Sequence, residues 1–144
     1  MKIVMRSSAL FLFVAVLTTG CSSFNRAWRN PPAQSAGLAG RWEGRWQSAR
    51  TRHNGKLRAI VTPQTDGRYD ARFHATHGSV LSVEYGVTLY VKQRGPRFEF
   101  RGAADLGMWG RYETTGYATT TQFHATYRSK FDYGTFEMQR PVNE

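Results

Sequence analysis

From Gly40 onward, the chain alternates apolar and polar residues in short runs. In the run from Gly40 to Ser48, Trp42 and Trp46 fall on one side of an extended chain, and Arg41 and Arg45 fall on the other. This period-two alternation predicts a β-strand with an aromatic face turned to a core and a charged face turned to water.

Further runs with the same alternation follow, each bounded by residues that favour turns. Asn54-Gly55, Asp66-Gly67 and Arg94-Gly95-Pro96 mark such turns. The register of the sixth strand is left open, because the stretch from Gly102 to Gly110 is rich in glycine and alanine and is compatible with a loop or a bulge. The inward positions predicted for the second to eighth strands are Leu57, Ala59, Val61, Tyr69, Ala71, Phe73, Ala75, Val83, Tyr85, Val87, Leu89, Val91, Phe98, Phe100, Tyr112, Thr114, Phe123, Ala125, Tyr127, Gly134, Phe136 and Met138.

These runs predict an all-β fold. Eight short strands joined by tight turns leave no room for helical crossovers, so consecutive strands are expected to pair antiparallel in a meander. Closing such a sheet removes its exposed edges, which favours a single eight-stranded up-and-down barrel over residues 40 to 141. An open half-barrel or a sandwich is the alternative, and it is disfavoured because no loop is long enough for a Greek-key return.

The segment before the predicted barrel has the features of an export signal. Lys2 and Arg6 precede an unbroken apolar run from Ala9 to Leu17, which is too short to span a bilayer and is typical of a secretory signal peptide over residues 1 to 20. The run ends in Thr18-Thr19-Gly20-Cys21, which resembles the lipobox of bacterial lipoproteins, although that family usually has leucine or a similar residue where Thr18 stands.

The lipobox resemblance implies that cleavage makes Cys21 the new N-terminus and that Cys21 carries the lipid. Cys21 is the only cysteine of the chain, so it has no disulfide partner, and an exported lone thiol calls for a function. Several acyl chains give a stable membrane anchor. In the family, a residue such as Ser22 after the cysteine implies transfer to the outer membrane of the bacterial envelope. An ordinary cleaved signal peptide is the alternative.

Between the lipobox and the first strand, the composition shifts to Ser, Asn, Pro, Ala and Gly. Pro31-Pro32 lies in the middle of this segment, and residues 21 to 39 are therefore predicted to form a flexible tether. Trp28 stands out in it, flanked by Arg26 and Arg29. An aromatic residue beside cations suits a lipid interface, and it equally suits docking on the folded domain.

A second resemblance rests on the first and last strands. Gly40-Arg41-Trp42 resembles the Gly-x-Trp signature of lipocalins, whose partner is an arginine near the end of the last strand, here Arg140. Gly44-Arg45-Trp46 fits the signature equally well. The domain is shorter than a lipocalin and has no C-terminal helix, so it is more similar in length and layout to avidin-like barrels. The resemblance transfers no ligand-binding residues.

The predicted interior is strongly aromatic. An eight-stranded barrel is either filled by its own side chains or wide enough for one small ligand. Tyrosine hydroxyl groups that point inward need hydrogen-bond partners, which a ligand or water can supply. The candidate ligand-binding residues are Trp42, Trp46, Tyr69, Phe73, Tyr85, Phe98, Phe100, Tyr112, Phe123 and Tyr127. A fully packed core of the same residues is the alternative.

The chain is basic, with a formal net charge of +10. Its cations alternate with acids along the predicted outer faces, which is typical of a solvated exterior of ion pairs and argues against nucleic-acid binding. An anionic component of the envelope is the alternative partner. Ile60 and Tyr90 interrupt the charged exterior, and we expect the tether, a second copy of the barrel or a partner protein to cover them. Avidin-like barrels pair through their outer faces, so a homodimer remains one of these alternatives.

No pattern in the sequence points to catalysis, to a metal or to a cofactor. No nucleophile elbow or phosphate-binding loop is present. His74 and His124 are expected on opposite sides of the barrel, which prevents a shared metal site. The sequence thus predicts a non-enzymatic, membrane-anchored lipoprotein whose barrel binds a small apolar or aromatic ligand. The alternative is a packed barrel that binds envelope components or a protein through its basic outer surface.

Overall fold

The computed structural model describes residues 23 to 33 and 37 to 142. The predicted signal peptide and Cys21 lie outside the described residues. The barrel consists of β1 (Gly40–Ser48), β2 (Asn54–Pro63), β3 (Arg68–His77), β4 (Leu81–Arg94), β5 (Arg97–Asp105), β6 (Arg111–Ala118), β7 (Gln122–Arg128) and β8 (Tyr133–Gln139), with one 3₁₀ helix, Gly107–Trp109, between β5 and β6.

The strands form a closed barrel in which each strand pairs antiparallel with its neighbour in sequence and β1 pairs with β8. The predicted all-β meander barrel is therefore confirmed. The seam between the first and last strands includes the pairs Gly44 with Met138 and Trp46 with Phe136. This seam excludes the open half-barrel, because every strand has a hydrogen-bonded neighbour on both sides.

The register places the predicted apolar face inside. One row of paired residues runs through Trp42, Ala59, Phe73 and Tyr85 on four consecutive strands, and all four point inward. The sixth strand, whose register the sequence left open, begins at Arg111 and pairs Tyr112 with Ala104 of β5. Much of the glycine-rich stretch therefore belongs to β5 and to the 3₁₀ helix.

Two inward glycines allow the strands to approach closely. A Cβ atom on Gly44 would lie 2.0 Å from the backbone oxygen of Glu137 across the β1–β8 seam. A Cβ atom on Gly116 of β6 would lie 2.1 Å from the backbone oxygen of His124 on β7. Any side chain would push these strands apart, so glycine is required where the barrel wall coils most tightly.

The two ends of the barrel differ. At one end, which we call the closed end, β1 begins and β8 finishes, and the segment Gly37 to Ala39 covers the interior; Leu38 and Ala39 are both fully buried. At the other end, which we call the mouth, four loops surround the interior: residues 49–53, 78–80, 106–110 and 129–132. The described part of the chain therefore offers access to the interior at the mouth.

Residues 23 to 29 form a helix, within the segment predicted to be a tether. Phe24 and Trp28, four residues apart, stack with their ring centroids 6.0 Å apart. Aromatic pairs at this spacing lie on the same face of a helix and stabilise it, which explains helix in a segment whose composition favours irregular structure. Within the described residues, no helix has the length and apolar character needed to cross a bilayer.

Candidate functional site

The interior opens into a cavity of about 250 Å³ just inside the mouth. Its walls come from β1, β3, β4, β6, β7 and β8, and from the loops that follow β5 and β7. The lining is mostly apolar, with a few polar groups on one side, which is the usual character of a site for a small molecule. The lining residues are Trp46, Ala75, Val83, Tyr85, Leu106, Tyr112, Tyr127, Ser129, Asp132 and Phe136.

Five aromatic rings form a continuous circle around the interior at this level. Phe73 stacks on Tyr85 with centroids 5.3 Å apart, and Tyr85 meets Tyr112 edge to face at 5.1 Å. Tyr112 stacks on Tyr127 at 6.2 Å, Tyr127 stacks on Phe136 at 4.9 Å, and Phe136 returns to Phe73 at 5.5 Å. We call this set the aromatic collar. Each ring is held by two others, so the collar is a preformed apolar surface.

The three tyrosines of the collar remain neutral. Burial raises the pKa of Tyr85 and of Tyr112 well above the ordinary tyrosine value. Burial and a hydrogen bond to Asp132 raise the pKa of Tyr127. The hydroxyl groups of Tyr85 and Tyr112 contact each other at 3.2 Å. A ligand in the cavity therefore meets neutral hydroxyl groups, which both donate and accept hydrogen bonds.

Asp132 supplies the negative charge of the cavity. Its Oδ2 accepts a hydrogen bond of 2.9 Å from the Tyr127 hydroxyl, and its Oδ1 accepts one of 2.5 Å from the Ser48 hydroxyl. The backbone N–H of Tyr133 donates to the same Oδ1 at 2.9 Å. Asp132 ends the turn that starts at Ser129, and its carboxylate is half-buried against the cavity.

Trp46 forms the edge of the cavity on the opposite side. Its indole N–H donates to the Thr76 carbonyl at 2.9 Å, which fixes the ring against β3. The His77 ring lies 5.9 Å from Trp46 and stacks on His53 at 4.8 Å. His53 is exposed, whereas His77 is half-buried against Trp46.

The structure brings part of the predicted ligand-binding set together. Trp46, Tyr85, Tyr112 and Tyr127 line the cavity, and Phe73 completes the collar beside them. The other predicted residues lie deeper or at the closed end: Trp42, Phe100 and Phe123 are in the packed core, Tyr69 is half-buried beside Leu89, and Phe98 lies under Gly37.

The closed end is fastened by Arg140 and Trp42. The guanidinium carbon of Arg140 lies 3.8 Å from the Trp42 ring centroid. The same guanidinium donates to the carbonyl oxygens of Gly37 at 2.7 Å, Ala39 at 2.8 Å and Arg41 at 3.2 Å. The Trp42 indole donates to the Leu38 carbonyl at 2.9 Å. Of the two Gly-x-Trp motifs, the first therefore makes the arginine contact, and the second contributes its tryptophan to the mouth.

The outer surface carries alternating charges, as the sequence indicates. Arg72 pairs with Glu84 across β3 and β4, and Arg94 pairs with Glu99 at 3.0 Å. A groove of about 630 Å³ runs over the outside of β1, β2 and β3, with Arg45, Lys56 and Arg58 beside Glu43.

The two apolar side chains singled out on the outer surface differ from each other. Ile60 is 3% exposed, whereas Tyr90 is 55% exposed. They therefore do not form one exposed patch.

His74 and His124 lie on β3 and β7, on opposite sides of the ring of strands. Among the described residues, no group of three or more His, Cys, Asp or Glu side chains is arranged to hold a metal ion.

Comparison of the chain with protein-family models, with curated proteins and with solved structures gives no match. The function is therefore argued from the geometry of the mouth and of the closed end.

Proposed function

We propose that this protein is a small binding protein of the bacterial envelope, whose barrel takes up a small apolar or aromatic ligand through the mouth. The observation that supports this most directly is the cavity of about 250 Å³ behind the mouth, bounded by the aromatic collar and by Asp132. A barrel needed only as a packed scaffold gains nothing from an apolar concavity left open at its mouth, because apolar surface that stays in contact with water contributes no burial energy.

The size of the cavity limits the ligand. An apolar cavity of about 150 Å³ holds a benzene ring, so a cavity of about 250 Å³ suits one or two fused rings or a short acyl chain. The carboxylate of Asp132 and the hydroxyl groups of Tyr85 and Tyr112 lie at its wall. A ligand with an apolar body and one hydrogen-bond donor fits this arrangement best, since an anionic group would meet the Asp132 charge.

The lipocalin-like part of the proposal rests on the closed end. An arginine of the last strand packs on the tryptophan of the first Gly-x-Trp motif and holds the segment before β1 across the interior. This device closes one end and leaves the mouth as the entrance, which is the layout of a barrel that binds ligands inside. The lipoprotein part rests on the sequence of residues 1 to 21, which supports export and an outer-membrane lipid anchor at Cys21.

A titration tests the ligand site. The full chain is titrated with a panel of fatty alcohols and of one-ring and two-ring aromatic compounds that carry one hydrogen-bond donor, with the corresponding carboxylic acids as the disfavoured arm, and binding is followed by calorimetry and by tryptophan fluorescence. The variant Ala75→Phe places a ring in the cavity, because Ala75 lines it. Ala103→Phe is the matched control, since Ala103 is exposed on the outer face of β5.

We expect at least one compound of the panel to bind the wild type and the Ala103→Phe control with equal affinity. We expect Ala75→Phe to bind it at least tenfold more weakly while melting at a similar temperature. No binding by any compound, or equal binding by both variants, would exclude the cavity as the site.

The alternative function is binding of an anionic envelope component through the outer surface. The groove beside Arg45, Lys56 and Arg58 is the observation that favours it. In that case Ala75→Phe leaves binding to anionic glycolipid or polyanion unchanged, and Lys56→Glu on the outer face weakens it.

A further inference from the structure

We infer that the rim of the mouth docks on an anionic phospholipid surface, so that the cavity opens toward the bilayer. The inference concerns a surface outside the cavity and does not depend on the identity of any ligand.

Exposed apolar side chains concentrate at the mouth. Val80 is 88% exposed in the loop between β3 and β4, Leu81 is 63% exposed at the start of β4, and Met108 is 85% exposed in the 3₁₀ helix. Val83 and Phe131, which flank the cavity opening, are also exposed. We call these five residues the apolar rim. Among the described residues, two large apolar side chains are exposed away from the mouth and its adjoining strand ends: Tyr90 on the outer wall and Val142 beyond β8.

The apolar rim is not confined to one loop. Its members come from the β3–β4 loop and the adjoining start of β4, from the β5–β6 connection and from the β7–β8 loop, which lie around the same opening. Because the apolar side chains lie on separate loops at the same end of the barrel, they are able to contact one flat, deformable surface at the same time. Apolar side chains at this density on a surface mark an interaction site.

Cations accompany the apolar rim. Arg50 and Arg52 lie in the β1–β2 loop and Lys130 lies in the β7–β8 loop, all exposed. Arg50 donates to the Phe131 carbonyl at 2.5 Å, which joins the two loops. These three cations outnumber the two acids nearest the mouth, Asp132 and Asp105, whose carboxylates accept hydrogen bonds from Ser48 and Tyr127 and from the Gly107 N–H.

The chemistry of the rim matches the surface of an anionic bilayer. Apolar side chains enter the boundary between headgroups and acyl chains, and flanking lysine and arginine side chains contact the phosphates. A protein partner would need a surface that is both apolar and acidic, and a second copy of this chain has cations at the same positions. The combination of apolar loop tips and cations therefore favours phospholipid over either of these.

The length of the tether is compatible with this orientation, although the chain enters the barrel at the closed end. Nineteen residues lead from Cys21 to Ala39. Gly37 to Ala39 are held across the closed end, so the sixteen residues from 21 to 36 set the reach, which is at most about 40 Å, counting about 3.3 Å for an extended residue and 1.5 Å for a helical one. The nine residues of β1 span about 30 Å. A lipid on Cys21 is thus able to share a bilayer with the mouth.

The test places an environment-sensitive fluorophore at the two ends of the barrel. The full chain carries Cys21→Ser, which leaves an introduced cysteine as the only thiol, at Val80→Cys or Met108→Cys in the apolar rim. Thr65→Cys, exposed in the β2–β3 loop of the closed end, is the matched control. Vesicles contain phosphatidylcholine alone or with phosphatidylglycerol, each with and without brominated acyl chains.

We expect the rim probes to shift to the blue and to be quenched by brominated lipid, and we expect the Thr65→Cys probe to do neither. We expect the response to need phosphatidylglycerol, and the apparent affinity to fall about fivefold for each of Arg52→Gln and Lys130→Gln. The apparent affinity is read from the rim probe, so attachment through residues 1 to 20 does not produce this result.

Three outcomes would overturn the inference. The first is an equal response at both ends of the barrel, and the second is no response at the rim. The third is a rim shift without vesicles that grows with protein concentration, which would show that a second copy of the chain covers the apolar rim. In each of these cases the ligand titration of the cavity is repeated. If ligand binding is still observed, the docking inference fails and the proposed ligand site stands.

Discussion

At the scale of single residues, Arg140 makes the contacts that hold the closed end of the barrel together. Its guanidinium contacts a buried indole ring and donates hydrogen bonds to four backbone carbonyl groups, those of Gly37, Ala39, Arg41 and Thr120. Burial lowers the pKa of Arg140 to about 10, so it stays charged at neutral pH. A planar group with several donors in fixed directions makes these contacts together, which the single ammonium of lysine cannot do.

We predict that Arg140→Ala lowers the free energy of unfolding by about 2 to 4 kcal/mol, because it leaves the carbonyl groups of the closed end without their charged donor. Arg140→Lys should recover less than half of the loss. The measurement is urea denaturation followed by far-UV circular dichroism. Arg97→Ala is the control: Arg97 is exposed and lies 4.2 Å from the Tyr117 ring, so its loss should be below about 1 kcal/mol. Equal losses for the two alanine variants would contradict the role of Arg140.

The residues of the closed end were predictable from sequence, and those of the mouth were only partly so. The resemblance to the lipocalin signature points to the Gly-x-Trp motif and to Arg140, although it does not decide between Trp42 and Trp46. Asp132 gives no such signal, because its partners Ser48 and Tyr127 are far apart along the chain and meet only when the barrel closes. A polar residue next to a turn is ordinarily solvated, and its burial here depends on tertiary structure.

At the scale of strands, the β1–β8 seam depends on a residue without a side chain. We predict that Gly44→Ala destabilises the protein by about 3 kcal/mol or more, since its Cβ would lie 2.0 Å from the Glu137 carbonyl oxygen and neither backbone is free to retreat. Gly86→Ala is the matched control in β4. Its Cβ would have its nearest neighbour at 3.9 Å, and we expect a gain of about 0.5 kcal/mol from reduced freedom of the unfolded chain. Thermal melting of both variants decides; similar melting temperatures would refute the tight seam.

His74 on the outer face of β3 makes the stability of the strand pairs dependent on pH. Burial, followed by the charge of Arg58 on β2, lowers the pKa of His74, while Glu84 on β4 opposes this in part. The unfolded chain therefore binds a proton near pH 6.5 that the folded protein does not yet bind. The free energy of unfolding therefore has its full value above about pH 6.5 and decreases as the pH drops below it.

We predict that the free energy of unfolding decreases between pH 7 and pH 5 with a slope of at most about 1.4 kcal/mol per pH unit from this residue. His74→Gln should flatten that part of the profile, whereas His53→Gln, at an exposed position, should leave it as in the wild type. Urea denaturation at a series of pH values gives the profiles. A wild-type slope that survives in His74→Gln would assign the pH dependence to other groups.

The positions of the strands and their inward residues could be predicted from the sequence, because alternation with a period of two places all apolar residues of a strand on one face. The exception is the passage from β5 to β6. There Gly102, Ala103 and Ala104 carry too little side-chain contrast to show a face, and the 3₁₀ helix interrupts the alternation. The register of β6 is set by its pairing with both neighbours, which is a property of the closed sheet.

At the scale of the whole molecule, closure of the meander was predictable and the difference between the barrel ends was not. The pairing of eight strands into a ring does not determine which end of the barrel is covered and which stays accessible. The segment from Gly37 to Ala39 decides which, because Arg140 and Trp42 hold it across the interior. The cavity and the apolar rim then belong to the opposite end, where the β3–β4, β5–β6 and β7–β8 loops converge. No local pattern predicts this convergence, since the loops are distant in sequence.

The proposal of a lipid anchor makes a prediction about the whole chain in a bacterial cell. Cys21 is the only thiol available for acylation, and several acyl chains anchor a protein stably where one does not. We predict that Cys21→Ser abolishes incorporation of labelled palmitate and shifts the protein from the membrane to the soluble fraction in high salt, or retains it with an uncleaved signal. High salt matters because it removes attachment through the cations of the mouth.

Ser22→Asp is the matched variant for this experiment. It keeps Cys21, so palmitate labelling should remain as in the wild type. If the resemblance to bacterial lipoproteins extends to sorting, an aspartate at this position should retain the protein in the inner membrane, and density-gradient separation of the two membranes measures this. If Cys21→Ser still carries label, or if it fractionates with the membrane after correct signal cleavage, the anchor lies elsewhere. The barrel then reaches a bilayer only through its mouth, where the vesicle experiment measures binding directly.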